Sequence, residues 1–194
     1  MAPGFSGHPE KISEIIRGLL RDPRGTFRLL REIPFNRASV YFLIMTGFAA
    51  IPVLLLIGAI DIFLLVASAH TIDPLTISAG IGIFLLGFAG SWLVFTFLVH
   101  VVLAAEGRTS GIRETFVTGF YAITPFALLY WIPMINIITP FWALGLMVYG
   151  LQDRQDVPEK QALISVVVAV IGILVLEYLI MVLWLNTSFL HSFI

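Results

Sequence analysis

Residues 115 to 152 read TFVTGFYAITPFALLYWIPMINIITPFWALGLMVYGLQ, and none of these 38 side chains is an acid or a base of the charged types. As one helix the stretch would be ~57 Å long, about twice the ~30 Å hydrocarbon core of a bilayer. Arg113 precedes it and Arg154 follows it. Cations collect on the cytoplasmic side of membrane proteins, so the chain is predicted to cross an even number of times between them. The stretch therefore reads as a hairpin. One short span runs from about Thr115 to Met134 with Pro125 inside it, a turn is supplied by Pro133, Asn136 and Pro140, and a second short span runs to Leu151. Two full crossings and a re-entrant pair with its tip buried in protein or facing water both fit these residues.

Three more apolar stretches flank the hairpin. The first runs from about Ser39 to Ile60, with Pro52 near its middle and an apolar continuation through Asp61 to Ala69. A proline there frees a backbone carbonyl and predicts a kink. The second runs from about Leu75 to Leu103, long enough to require tilt. The last runs from Gln161 to Leu185. The fold class expected is an all-α membrane protein with five transmembrane helices over residues 39–185. It follows an N-terminal amphipathic segment over residues 1–38 and precedes a short tail over residues 186–194. Composition agrees, since 59% of residues are apolar and 12% are charged, against about 25% charged in soluble domains. All eleven Lys and Arg residues fall on one side of this layout. The localisation expected is a cell membrane, multi-pass, with the N-terminus cytoplasmic and the C-terminus outside. Tyr130, Trp131, Trp142 and Trp184 fall near the outer interface, where amphipathic rings prefer to sit. Trp92 falls mid-span, as a packing residue would.

The first 38 residues hold seven cations against four acids, although net charge over the chain is −1. Ile12, Ile15, Ile16, Leu19 and Leu20 form one apolar helical stripe. Asp22-Pro23-Arg24-Gly25 reads as a break. A second short segment, Thr26 to Ile33, puts Phe27, Leu30 and Ile33 on one side. Lys11, Arg17, Arg21, Arg24, Arg28 and Arg31 line the polar faces. Basic amphipathic segments of this kind lie at interfaces and bind anionic lipid headgroups; the competing reading makes them packing struts under the bundle.

Two local stretches carry a family resemblance. Gly107-Arg108-Thr109-Ser110-Gly111 leads to Phe116, then to Gly119-Phe120-Tyr121 and Pro125. Gly150-Leu151 leads to Gln155 through Lys160 and Ala162. Together with five spans and a cytoplasmic amphipathic N-terminus, they resemble the Yip1 domain family over about residues 10–185. The resemblance marks Gly119, Tyr121 and Pro125 as family-motif residues. It implies a non-enzymatic membrane adaptor or organiser, with a family role in membrane trafficking and small-GTPase binding. Eukaryotic members carry Asp-Leu-Tyr-Gly-Pro near the first span. Here that region reads Ile33-Pro34-Phe35-Asn36-Arg37, and the chain resembles a prokaryotic-type member.

The candidate intramembrane polar site comprises Glu177, Asp61 and His100. Glu177 lies inside the last span, and a carboxylate at that depth is costly and marks a functional site by default. It suits proton or cation handling or a lipid or ligand site; the alternative is an acid hydrogen-bonded to a hydroxyl for packing. Asp61 could share an outward-facing pocket with it or be solvated beyond the membrane. His100 lies near Glu106 at the other end of the second span. A zinc site needs three or four convergent ligands, and His8, His70, His100 and His191 are scattered, so no metal is expected. No cysteine is present and no nucleophile–base set can be assembled, so the chain is expected to be no enzyme and to take no cofactor. The second span is striped with small residues, Ser78, Gly80, Gly82, Gly87, Ala89, Gly90 and Ser91, which permit close helix approach. That approach serves either packing within the chain or a homo-oligomer. The partners expected are the lipid bilayer, anionic headgroups and a protein at the cytoplasmic face, with no nucleic acid. The alternative function is a small-solute, proton or ion transporter or channel using Glu177 and Asp61.

Overall fold

Backbone polar groups in hydrocarbon have no water to bond, so apolar stretches of this length must satisfy them internally as helices. The computed structural model describes residues 11–68, 73–108 and 110–191, without the side chains of 61, 64–68, 74 and 184–191, and it is helical throughout. In chain order the helices are α1 (Ile12–Arg21), α2 (Pro23–Leu29, continued by a 3-10 turn over Leu30–Glu32), α3 (Phe35–Ser68), α4 (Pro74–Ala105), α5 (Ile112–Ala122), α6 (Thr124–Leu129), α7 (Ile135–Gln155) and α8 (Glu159–His191). Among the described residues four are long and apolar enough to cross a membrane, over Phe35–Ile60, Leu75–Ala105, Ile135–Gln155 and Glu159–Leu183. These correspond to the first, second, fourth and fifth expected spans.

The third expected span differs. It is the α5–α6 pair, bent at Ile123. Pro125 has no N–H and cannot bond the Tyr121 carbonyl four residues back. The Thr124 hydroxyl takes that carbonyl instead, at 2.6 Å. Its one proton is then committed, so the Tyr41 hydroxyl, 2.7 Å away, must donate to the Thr124 oxygen. The same dipeptide recurs in α7, where Thr139 donates at 3.2 Å to the Asn136 carbonyl that Pro140 leaves free. Pro52 follows no hydroxyl residue; near it the Tyr130 hydroxyl reaches the Ala49 carbonyl at 2.6 Å. At Pro125 and Pro140 the carbonyl that the proline leaves free is thus taken by the preceding threonine hydroxyl.

α5 is enclosed by the other helices. Thr115, Val117, Thr118, Gly119, Phe120, Tyr121 and Ala122 are all buried in α5, which packs against α3, α4, α6 and α7. Protein rather than lipid surrounds it, so threonines are admissible there as long as their hydroxyls are bonded. Thr118 bonds the Glu114 carbonyl and, across the interface in α4, Thr96 bonds the Trp92 carbonyl.

The core gathers at one end. Ala38, Tyr41, Phe42, Met45 and Ala49 of α3 are buried, as are Trp92, Phe95, Thr96, Val99 and Leu103 of α4 and Ala162, Ser165, Val166 and Ala169 of α8. Each set keeps the i, i+3, i+4 spacing of a helix face. Along the same three helices Leu55, Ile83, Leu86 and Leu183 are exposed. The packed end is the one that holds α1, α2 and the connections after α4 and α7.

The N-terminal helices belong to that core. Leu19, Phe27 and Leu30 have no exposed surface, and α2 lies against α7. Of the apolar stripe read from the sequence, Ile15 and Leu19 are buried against protein, Ile16 and Leu20 are half-buried and Ile12 is exposed. The expected break falls at Asp22, between α1 and α2, and the second segment begins at Pro23 rather than at Thr26. Asp22 caps it by accepting from the Gly25 N–H at 3.0 Å, and Pro23 occupies the first helical position, where its missing N–H costs nothing.

Candidate functional site

At the packed end Arg154, on the last turn of α7, has a side chain only 2% exposed. Its Nε donates to Glu114 of α5 at 2.8 Å. One terminal nitrogen donates to the Leu30 carbonyl and the other to the Ile33 carbonyl at 3.4 Å. A guanidinium presents its donors in a fixed fork, so one side chain can bond an acid and two carbonyls on different elements. The two carbonyls lie where the 3-10 turn ends; that of Leu30 also accepts the Ile33 N–H at 3.1 Å. Around this clamp Arg28 pairs with Asp153 at 3.0 Å, Arg31 with Asp156 at 2.5 Å, and the Arg24 guanidinium lies 4.9 Å from the Tyr149 ring centre. Three of the six cations assigned to headgroup binding thus have protein partners. Lys11, Arg17 and Arg21 are exposed and have no ion pair among the described residues. Sequence reasoning counted Arg154 only as a loop cation, and its partners lie 40 to 124 residues away. The turn that lets it point inward is helped by Asp156, which ends α7 in the left-handed conformation with φ 55°, one of the few residue types to tolerate it.

The family-motif residues meet at the helix crossings. A Cβ on Gly119 would lie 2.6 Å from the Thr96 hydroxyl, and one on Gly150 would lie 2.4 Å from a Thr118 methyl carbon and 2.8 Å from the Phe27 ring. Only glycine allows α5 to touch α4, and α7 to touch both α5 and α2, at these points. The Gly119 carbonyl accepts from the Trp92 indole at 2.8 Å, so Trp92 is the mid-span packing residue expected. The Tyr121 ring packs tilted against that of Tyr41, with ring centres 4.7 Å apart and planes at 44°, and Pro125 sets the bend of α6. The signal that placed Tyr41 and Thr124 in this group was available as the Thr-Pro pair but was not read.

His100 and Glu177 do not come together as one site. His100 faces α5, its Nδ1 3.3 Å from the Thr115 hydroxyl, near the packed end. Glu177 lies in α8, with the Ser91 hydroxyl of α4 3.5 Å from its Oε1. Glu177 and Ser91 line a groove of about 550 Å3 between α4, α6, α7 and α8. Asp61 lies on α3, and its side chain is outside the described residues. Among those residues no three His, Asp or Glu side chains form a metal-binding group. The small residues of α4 divide. A Cβ on Gly80, Gly82, Gly87 or Gly90 would meet nothing within 4 Å, so these glycines serve no close approach within the chain.

The family model described as the Yip1 domain matches residues 17–182. No curated protein and no solved structure matches the chain.

Proposed function

The chain belongs to the Yip1 domain family, and from that premise we propose that it is a non-enzymatic membrane adaptor or organiser working through a preassembled basic face on the cytoplasmic side. One observation carries the reading. Ile15 and Leu19 of α1 and Phe27 of α2 are buried in the bundle, while Lys11 just before α1 and Arg17 and Arg21 on it remain exposed. A basic surface built this way costs no folding on contact and suits acidic headgroups, each cation near such a surface contributing about 1 kcal/mol. A protein partner at the cytoplasmic face would use the same surface. The eukaryotic motif is absent from Ile33 to Arg37, so the reading takes an acidic lipid surface and no GTPase.

The same reading includes five crossings. Arg154 touches Glu114, Leu30 and Ile33, which supports an even number of passes between α5 and the end of α7. The α5–α6 pair spans Ile112–Leu129, about 27 Å at 1.5 Å per residue, close to a ~30 Å core. The unfilled glycines of α4 support self-association along that helix.

Lipid retention tests the proposal. Protein extracted from membranes containing equal phosphatidylglycerol and phosphatidylcholine should carry an excess of the anionic lipid in native mass spectra. Replacing Lys11, Arg17 and Arg21 by Gln should abolish the excess without changing helicity. An unchanged lipid ratio would remove the basis of the proposal.

A further inference from the structure

Glu177 stands inside the span Glu159–Leu183, where an unpaired carboxylate is costly. Among the described residues its one polar contact is the Ser91 hydroxyl at 3.5 Å, too long to satisfy a carboxylate with several lone pairs. The groove it lines is otherwise walled by apolar side chains and by the rings of Phe88, Trp92, Phe95 and Phe126. The Trp92 N–H is turned away to the Gly119 carbonyl, so Ser91 and Glu177 are its polar groups. Gly87 also lines it, and a Cβ there would meet nothing within 4 Å. At about 550 Å3 the groove falls in the ~300–1,000 Å3 range of small-molecule sites, which are mostly apolar with a few placed polar groups. Gly87, Ser91 and Glu177 are exposed, so the groove is open beside the carboxylate.

We propose that this groove binds an amphiphile with a protonated amine headgroup, the ammonium beside Glu177 and the alkyl chain along the aromatic floor. Charge selects the class. An ammonium neutralises the carboxylate and donates the hydrogen bonds that Ser91 does not supply. Aromatic faces attract cations as well as chains. A hydrated ion would need a polar wall in place of these rings. The inference is independent of the reading of the cytoplasmic face.

The test uses the full chain in phosphatidylcholine nanodiscs, with Trp131→Phe, Trp142→Phe and Trp184→Phe so that Trp92 is the one emitter. Titrated 12-bromododecylamine should quench Trp92 saturably. Half-saturation should need roughly tenfold more probe for 12-bromododecanol, for Glu177→Gln, and for Gly87→Leu, which fills the groove; tenfold corresponds to ~1.4 kcal/mol. Equal quenching by amine and alcohol, or by amine in Glu177→Gln, overturns the proposal. So does quenching that never saturates, which is partitioning into the bilayer. Absent quenching in a dimeric sample means that a second copy covers the groove, and overturns it too. If the tryptophan variants do not fold, native mass spectra of the unaltered chain with dodecylamine against dodecanol decide the same question, with preferential retention of the amine expected.

Discussion

A methyl group added at Gly119 would have to share space with Thr96, whose hydroxyl would lie 2.6 Å and whose methyl 2.7 Å from it. Thr96 has no exposed surface and its hydroxyl is bonded to the Trp92 carbonyl, so it cannot retreat. Overpacking of this kind costs ~1–3 kcal/mol, while alanine gains at most ~1 kcal/mol in helix preference over glycine. Gly119→Ala should therefore lower the thermal midpoint in detergent, and Thr96→Ala in the same chain should restore part of the loss. Gly87→Ala, with nothing within 4 Å, should stay within about 0.5 kcal/mol of the parent; a Gly119→Ala chain as stable as Gly87→Ala would contradict the crossing. Arg154 works by a different term. Glu114 is 39% exposed, so water can solvate it when its partner is removed. The Ile33 carbonyl lies in the buried contact and would lose its donor, at about 1–3 kcal/mol for a stranded group, while the Leu30 carbonyl would keep the Ile33 N–H. Arg154→Gln should loosen α1 and α2, seen as faster limited tryptic cleavage after Arg21 and Arg24. Arg154→Lys should not rescue it, because one ammonium cannot serve three acceptors on three sides.

In the elements, the bend between α5 and α6 ties three residues into one hydrogen-bonded relay. Tyr41 donates to Thr124, which donates to the Tyr121 carbonyl freed by Pro125. Thr124→Val strands both that carbonyl and the Tyr41 hydroxyl, and should destabilise by about 1–3 kcal/mol. Adding Tyr41→Phe to Thr124→Val should cost little more, since the phenol has already lost its acceptor; a fully additive double variant would show that the relay does not couple. These elements also mark what a sequence can carry. α3, α4, α7 and α8 were legible because lipid-facing helices must be apolar over a bilayer's length. α5–α6 was legible only as half of an uncharged stretch, since its neighbours are protein and its threonines blur the apolar signal. The basic segment was legible as amphipathic, with docking under the bundle left as one of two readings. Arg28 and Arg31 find Asp153 and Asp156, 125 residues on, and no local spacing reports a pairing at that distance. Glu177 was marked by depth alone, and its groove arises from four helices that only the fold brings together.

At the scale of the whole molecule, the connection after α7 and the start of α5 must share a side, because Arg154 bonds Glu114. The N-terminal helices share it too, through the Leu30 and Ile33 carbonyls. Six of the eleven cations precede α3, Arg37 lies in its first turn and the other four lie at Arg108, Arg113, Arg154 and Lys160, so every cation belongs to this one end. In the topology we propose, the positive-inside rule assigns that end to the cytoplasm. On that proposal α3 leaves the cytoplasm and α4 returns to it; the α5–α6 pair leads away and α7 leads back; α8 leaves again. A reporter placed in the Gly107 to Gly111 loop should be active only in the cytoplasm, and one fused after Ile194 only outside. Were the α5–α6 pair confined to one side with α7 crossing alone, α8 would return inward, the terminal fusion would be cytoplasmic, and Arg154 and Lys160 would lie outside. That arrangement would separate Arg154 from Glu114 by the width of the bilayer, so cytoplasmic activity of the terminal fusion would refute the topology and the clamp together.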